Sequence, residues 1–387
     1  MSAAQWRRAM SAGATSAIGA ASQPMPRPPA SGAKVGVSAP APAVDPYANS
    51  DAPRWLKFLW RSLSARHVFV LAFVLLLPFV VSPFITYQVA SQSLIFGLIA
   101  LSLSFLAGYG GMVSLAQMSV AGMAGYAVAV LGASGTETSL GWSWGIVTPL
   151  AVLIAVLAST LIGWLSVRTD GIYTIMITLA IGVAFYYLVL QNYSVFNGFQ
   201  GFQKVYPPQV FGLNWRAPPP FYFLCLFWAM AGYFFIKWLV RTPFGMALQG
   251  TRDNARRMNS LGFNVTAHRV AAYAVSGLLA GVGGVLLVWY NGLITPGSVG
   301  TSWLINVLVI AVLGGMKHPI GAFLGAIVFI LLQTFAIDII DRERFNLVIG
   351  GVFLAIVLFS PDGLLGLWAK LRSRFGPNQA LISTTRR

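Results

Sequence analysis

The sequence predicts an all-α polytopic integral membrane protein, a bundle of about ten transmembrane helices with both termini in the cytoplasm. Three observations carry that prediction. Of 387 residues, 57% are apolar and only 9% charged, above the roughly 45–50% apolar that is usual for soluble domains. The apolar residues gather in repeated runs of about 20, the length a helix needs to cross a bilayer. These runs are continuous and do not alternate as the strands of a membrane barrel would.

Residues 1–50 stand apart. The stretch "PMPRPPASGAKVGVSAPAPAVDP" cannot bury a core, so a disordered cytoplasmic tail is expected, and it lacks the apolar centre of a secretory signal. Over 51–66, Arg54, Lys57 and Arg61 share one helical face while Leu56, Leu59, Trp60 and Leu63 share the opposite one. That is the pattern of a basic helix lying on an anionic membrane surface.

Residues 67–368 form the membrane domain, with apolar spans expected at 67–83, 87–107, 112–133, 144–167, 171–190, 219–240, 267–290, 302–315, 320–338 and 345–361. A basic tail, 369–387, follows. With the N-terminus in the cytoplasm, only Lys204, Arg216, Arg342 and Arg344 of the 25 Lys and Arg fall outside, which is the bias that orients membrane proteins. The net charge of +16 therefore reports orientation in a lipid bilayer, not nucleic-acid binding.

One cytoplasmic loop, 241–266, is unusually polar. The segment "RTPFGMALQGTRDNARRMNSLGFNVTAHR" sets Arg241, Arg252, Arg256, Arg257 and Arg269 against Asp253. Thr251 or Asp253 can cap a helix N-terminus there, and Gly262 can end it in the left-handed conformation. The intervening "NARRMNSL" makes about two turns, too few to hold themselves in water. Something else must support them.

Two further stretches share a motif. Gly110–Met112 and Gly314–Met316 each place Gly-Gly-Met where one span reaches the cytoplasm and the next begins. Small residues four apart, such as Gly277 and Gly281, Ala280 and Gly284, and Gly321 and Gly325, let helix backbones approach closely in lipid.

The span interiors hold no Asp, Glu, Lys or Arg near their middles, so the intramembrane acids of many ion-coupled carriers have no counterpart. Their polar groups are hydroxyls and amides, among them Ser114, Gln117, Ser119, Thr174, Thr178, Ser276, Asn306, Gln333 and Thr334. These suit either interhelical hydrogen bonding or the passage of a neutral or zwitterionic solute. The chain has no phosphate-binding loop and no paired Cys/His metal spacing. Its three His lie at span edges and Cys225 lies in an apolar run. A membrane enzyme is thus disfavoured. A self-sufficient carrier or channel for a small neutral solute is the alternative to a transporter energised by another subunit.

Five blocks, in order, carry a resemblance: "ALSLSFLAGYGGMVSLAQMSVAGMAGYAVAVL" (100–131), "DGIYTIMITLAIG" (170–182), "TPFGMALQGTRDNARRMNSLGFNVTAHRVAAYAVSGLLAGVGGVLL" (242–287), "AVLGGMKHPIGAFLGAI" (311–327) and "SPDGLLGL" (360–367). Over roughly 67–370 the chain resembles the branched-chain amino acid permease family, LivM-like membrane subunits of ATP-binding-cassette importers. The resemblance implies a non-enzymatic transport subunit in the bacterial inner membrane. Its partners would be a second, LivH-like permease, two ATP-binding-cassette ATPase subunits and a periplasmic or extracellular solute-binding protein. ATP and magnesium would be bound by the ATPases, with no cofactor in this chain.

By the same resemblance, the loop would form a short helix coupling the permease to the ATPase, through Thr251, Arg252, Asp253, Asn254, Ala255, Arg256, Arg257, Met258, Leu261 and Gly262. Arg256, Arg257 and Met258 depart from the family's pattern, where an acidic or apolar residue and two alanines are common. Ser114, Gln117 and Thr178 are the implied lining of the translocation pathway. Branched-chain amino acids are the implied solute, with urea and short amides as alternatives.

Overall fold

The computed structural model describes residues 76–132, 139–169, 171–208, 215–339 and scattered positions between 350 and 366. The expected tails at 1–50 and 369–387 and the amphipathic segment 51–66 lie outside the described residues. So do most of the first and tenth expected spans.

The described chain is helical nearly throughout. Helix α1, Ile85–Gly110, is apolar on every side, and 83% of its most apolar window is buried, as befits a helix enclosed by others. Its first seven residues, Ile85–Ser91, are wound as a π-helix, and Ser91 Oγ donates to Thr86 O across that widened turn at 3.0 Å. After α1 come α2 (Gln117–Leu131), α3 (Trp144–Ser166), α4 (Ile172–Gln191) and α5 (Pro218–Leu239); of these, α2 and α5 pack directly on α1. Two shorter helices follow, α6 (Pro243–Asp253) and α7 (Ala255–Ser260), then α8 (Val265–Asn291), α9 (Thr301–Gly314) and α10 (Pro319–Ile339).

Five of these helices, α1, α3, α4, α5 and α8, are long and apolar enough to cross a bilayer, and α9 with α10 forms a pair bent by 116°. The expected count of ten is thus not reproduced among the described residues. Two differences have local causes. The expected span 112–133 is helical only over the 15 residues of α2, because the chain runs irregularly through 111–116 after turning at Gly111, φ +68°. The expected spans 302–315 and 320–338 meet at a bend of four residues, where Gly315 takes φ +100°. The middle glycine of both Gly-Gly-Met motifs therefore occupies a backbone region that side chains disfavour.

Helix α8 packs against α1, α2 and α3, and its glycines make this possible. A Cβ on Gly281 would lie 2.8 Å from Ala155 Cβ, one on Gly283 2.6 Å from Ile99 Cγ1, and one on Gly284 would collide with the Ala121 carbonyl. Without side chains there, backbones close up and dispersion contacts accumulate. Ser159 Oγ adds a bond to Tyr273 O at 2.6 Å. Helices α9 and α10 meet the same way, since a Cβ on Gly325 would strike the Ile310 carbonyl.

The loops gather at two ends of the bundle. One end holds 108–116, 240–264 and 315–318; the other holds 139–143, 197–208 and 292–300. At the second end a two-residue pair departs from the all-α expectation. Strand β1 (Phe202–Gln203) runs antiparallel to β2 (Leu293–Ile294), with Phe202 opposite Ile294.

Candidate functional site

The polar loop builds two helices separated by the extended backbone of Asn254. Helix α6 starts where Thr242 Oγ1 accepts from Gly245 N at 3.4 Å and Pro243 takes the first helical position, which lacks an intrahelical N–H partner anyway. It buries Gly245, Ala247, Leu248 and Thr251 and packs on α1 and α8. Gln249 Nε2 donates to Val240 O and Gly245 O at 3.3 and 3.1 Å. This helix is fastened to the bundle.

Helix α7 is different. None of its six residues is buried. Its cap is Asn254, whose Oδ1 accepts from Arg257 N at 2.9 Å, and not Thr251 or Asp253 as the sequence suggested. Those two belong to α6. Thr251 is buried with its hydroxyl donating to Leu248 O at 2.7 Å, while Asp253 is the last α6 residue, ion-paired with Arg252 at 2.8 Å. Asn254 supplies an extended backbone, φ −156°, and a carbonyl in the one place where the two helices separate. Its type was a sufficient signal; an N-cap accepts from the amide three residues on.

The far end of α7 closes as expected on Gly262, φ +88°. Gly262 N–H bonds to Asn259 O at 3.0 Å and Phe263 N–H to Met258 O at 3.1 Å, the paired bonds of a Schellman termination. Ala255 is half-buried, and Met258, also half-buried, rests on α6, where a Cβ at Gly250 would lie 2.8 Å from its sulfur. Arg256, Arg257 and Leu261 point outward, Leu261 with 65% of its surface exposed. Two cationic side chains thus project from a short helix capped at both ends, and one apolar side chain from its C-cap.

Arg252 ties this loop to the membrane helices. Its Nη1 donates to Gly108 O at 2.5 Å and its Nε to Asp253 Oδ1 at 2.9 Å. Gly108 lies in the last turn of α1, where carbonyls lack helical partners and the helix dipole favours a cation. The sequence marks Gly111 only as part of a Gly-Gly-Met motif and Gly108 not at all, because their importance depends on what crosses them in space.

Ser114, Gln117 and Thr178 are each at most 1% exposed. Gln117 Oε1 accepts from Ser102 Oγ at 3.1 Å and Ser276 Oγ at 2.9 Å, joining α1, α2 and α8. Thr178 Oγ1 accepts from Leu115 N at 3.1 Å, and Ser114 Oγ accepts from Ala116 N at 3.4 Å. Thr178 and Ser114 thus satisfy the irregular segment ahead of α2. Within this chain all three serve as interhelical or turn bonds.

The sequence family described as "Branched-chain amino acid transport system / permease component" matches residues 85–357. The chain belongs to this family. It is accordingly a multi-pass transmembrane permease subunit of an amino-acid transport family. The permease is 26% identical over 311 residues to the high-affinity branched-chain amino acid transport system permease protein LivM of Salmonella typhimurium, covering 74% of this chain and 71% of that one. The LivM protein of Escherichia coli matches over the same extent at 26%. The branched-chain amino acid permease protein BraD of Pseudomonas aeruginosa is 30% identical over 126 residues, 33% of this permease and 41% of its own length. No solved structure matches.

Proposed function

We propose that this permease is the membrane subunit of an ATP-binding-cassette importer for branched-chain amino acids in the bacterial inner membrane. It pairs with a second, related permease, and the solute crosses between the two after delivery by a solute-binding protein. Two ATPase subunits sit on the cytoplasmic side and α7 docks in a cleft of one of them. The observation that carries this reading is α7 itself: six residues, none buried, capped at both ends and mounted on a helix that is fastened to the bundle. A helix so short has no stability of its own to spare, so its upkeep fits a contact surface.

The charge distribution supports the orientation. Arg168, Lys237, Arg241, Arg252, Arg256, Arg257, Arg269 and Lys317 lie at the α7 end, and Lys204 and Arg216 at the other, a bias that supports a cytoplasmic α7 end. Ser114, Gln117 and Thr178 are enclosed, so in this proposal they hold the α1–α2 junction while the pathway follows a face shared with the partner permease. The test is a mild-detergent pull-down of the tagged permease from its native membrane, beside Arg256→Glu/Arg257→Glu and Gly262→Pro variants. Recovery of an ATPase subunit and a second permease, with the ATPase lost in the variants, is the expected result. A chain recovered alone under conditions that preserve such complexes overturns it.

A further inference from the structure

We propose that Arg252 is the positioning residue through which movement of α7 reaches the membrane helices, an inference that rests on the coupling role proposed above for α7. The guanidinium bonds in two directions. Nη1 donates to Gly108 O of α1 at 2.5 Å, while Nε and Nη2 reach Asp253 Oδ1 at 2.9 and 2.8 Å. Asp253 adjoins Asn254, the cap of α7. One side chain therefore spans from the root of the exposed helix to the end of the central one. Such charge-assisted bonds are short and about twice as strong as neutral ones.

The place it reaches is a junction of three backbones. The stem of Arg252 crosses Gly111, where a Cβ would lie 2.6 Å from Cγ. Gly108 carries no Cβ because one would collide with the Met316 carbonyl, in the α9–α10 bend. Gly363 also meets that bend, its Cβ position 2.5 Å from Gly315 N. Gly111, Gly315 and Gly363 all have positive φ, +68°, +100° and +72°.

Coupling needs elements able to take two arrangements. The irregular stretch 111–116 and the 116° bend are two places where the described bundle departs from straight helix, so they can turn without breaking a span. Arg252 holds its carbonyl partner at one of them and lies against the glycine that starts it. A displacement of α7 thus reaches the α1–α2 junction through a direct bond, beside the packing of α6 on the bundle.

The experiment uses the complete importer in proteoliposomes and reads both solute uptake and ATP hydrolysis. Arg252→Ala is expected to co-purify with the ATPase and hydrolyse ATP within about twofold of the parent, while uptake per ATP falls about tenfold. Arg252→Lys can reach one acceptor but cannot fork to both, and is expected to recover part of that ratio. Uptake and hydrolysis falling in proportion, an unchanged ratio in Arg252→Ala, or loss of the ATPase from that variant would each overturn the proposal. If Arg256→Glu/Arg257→Glu retains the ATPase, the coupling role of α7 itself fails, an outcome separable from any result at Arg252.

Discussion

Ser276 Oγ on α8 donates to Gln117 Oε1 on α2 at 2.9 Å, deep in the bundle. Ser102 reaches the same oxygen from α1 at 3.1 Å, while Gln117 Nε2 is buried with no hydrogen-bond partner. Both hydroxyls keep a fallback acceptor, Ser102 on Ile99 O at 2.6 Å and Ser276 on Ser102 O at 3.3 Å. Gln117→Leu removes one good acceptor and one unsatisfied donor together. Interhelical bonds of this kind average about 0.6 kcal/mol, so the variant is expected to shift Tm by less than about 4 °C and to leave the KM for uptake unchanged. A raised KM with unaltered Tm would put Gln117 on the solute path.

Close approach at Gly284 predicts a graded response. Gly284→Ala drives a methyl into the Ala121 carbonyl and Gly325→Ala one into the Ile310 carbonyl. Each is expected to cost about 1–3 kcal/mol. Gly145 has nothing within 4 Å of a built Cβ and lies in the first turn of α3, so Gly145→Ala is expected to stabilise by about 0.4–1 kcal/mol. Thermal unfolding in one detergent orders the three.

At the cap of α7, Asn254→Ala removes the acceptor of Arg257 N–H. The expected cost is about 1 kcal/mol, read as a roughly fivefold faster amide exchange across 255–261. Asn254→Ser is expected to restore most of the protection. Thr251→Ala, which the sequence alone would have ranked as an equal candidate for the cap, is expected to leave that exchange unchanged.

Gly262 tests conformation without sterics. Its φ is +88°, yet nothing lies within 4 Å of a built Cβ. Gly262→Ala is expected to cost about 1–2 kcal/mol within the loop while the bundle's Tm stays constant. Gly262→Asn, better suited to the left-handed region, is expected to be milder. Recovery of the ATPase in pull-downs, set beside Tm, separates the two effects.

Composition and periodicity made the membrane class legible, because crossing a bilayer requires long apolar runs whatever their neighbours. Residue type alone also placed the end of α7, since the left-handed turn at Gly262 is a local backbone demand. The glycine pairs at 277 and 281 and at 321 and 325 were readable as packing surfaces for the same reason.

Tertiary structure decided the rest. Residues 112–116 are apolar or small enough to continue a span, and only Thr178 bonding Leu115 N and the turn at Gly111 show that they do not. Thr251 was capable of capping, but on α6 it is buried with its hydroxyl bonded to Leu248 O, which leaves Asn254 the position. Gln117 and Thr178 carry the chemistry of a polar pathway, yet Gln117 bonds hydroxyls on two other helices and Thr178 bonds the irregular stretch before α2. Each depends on contacts between residues far apart in the chain, such as Arg252 with Gly108, and a hydrogen bond over that separation exists only once the helices have packed.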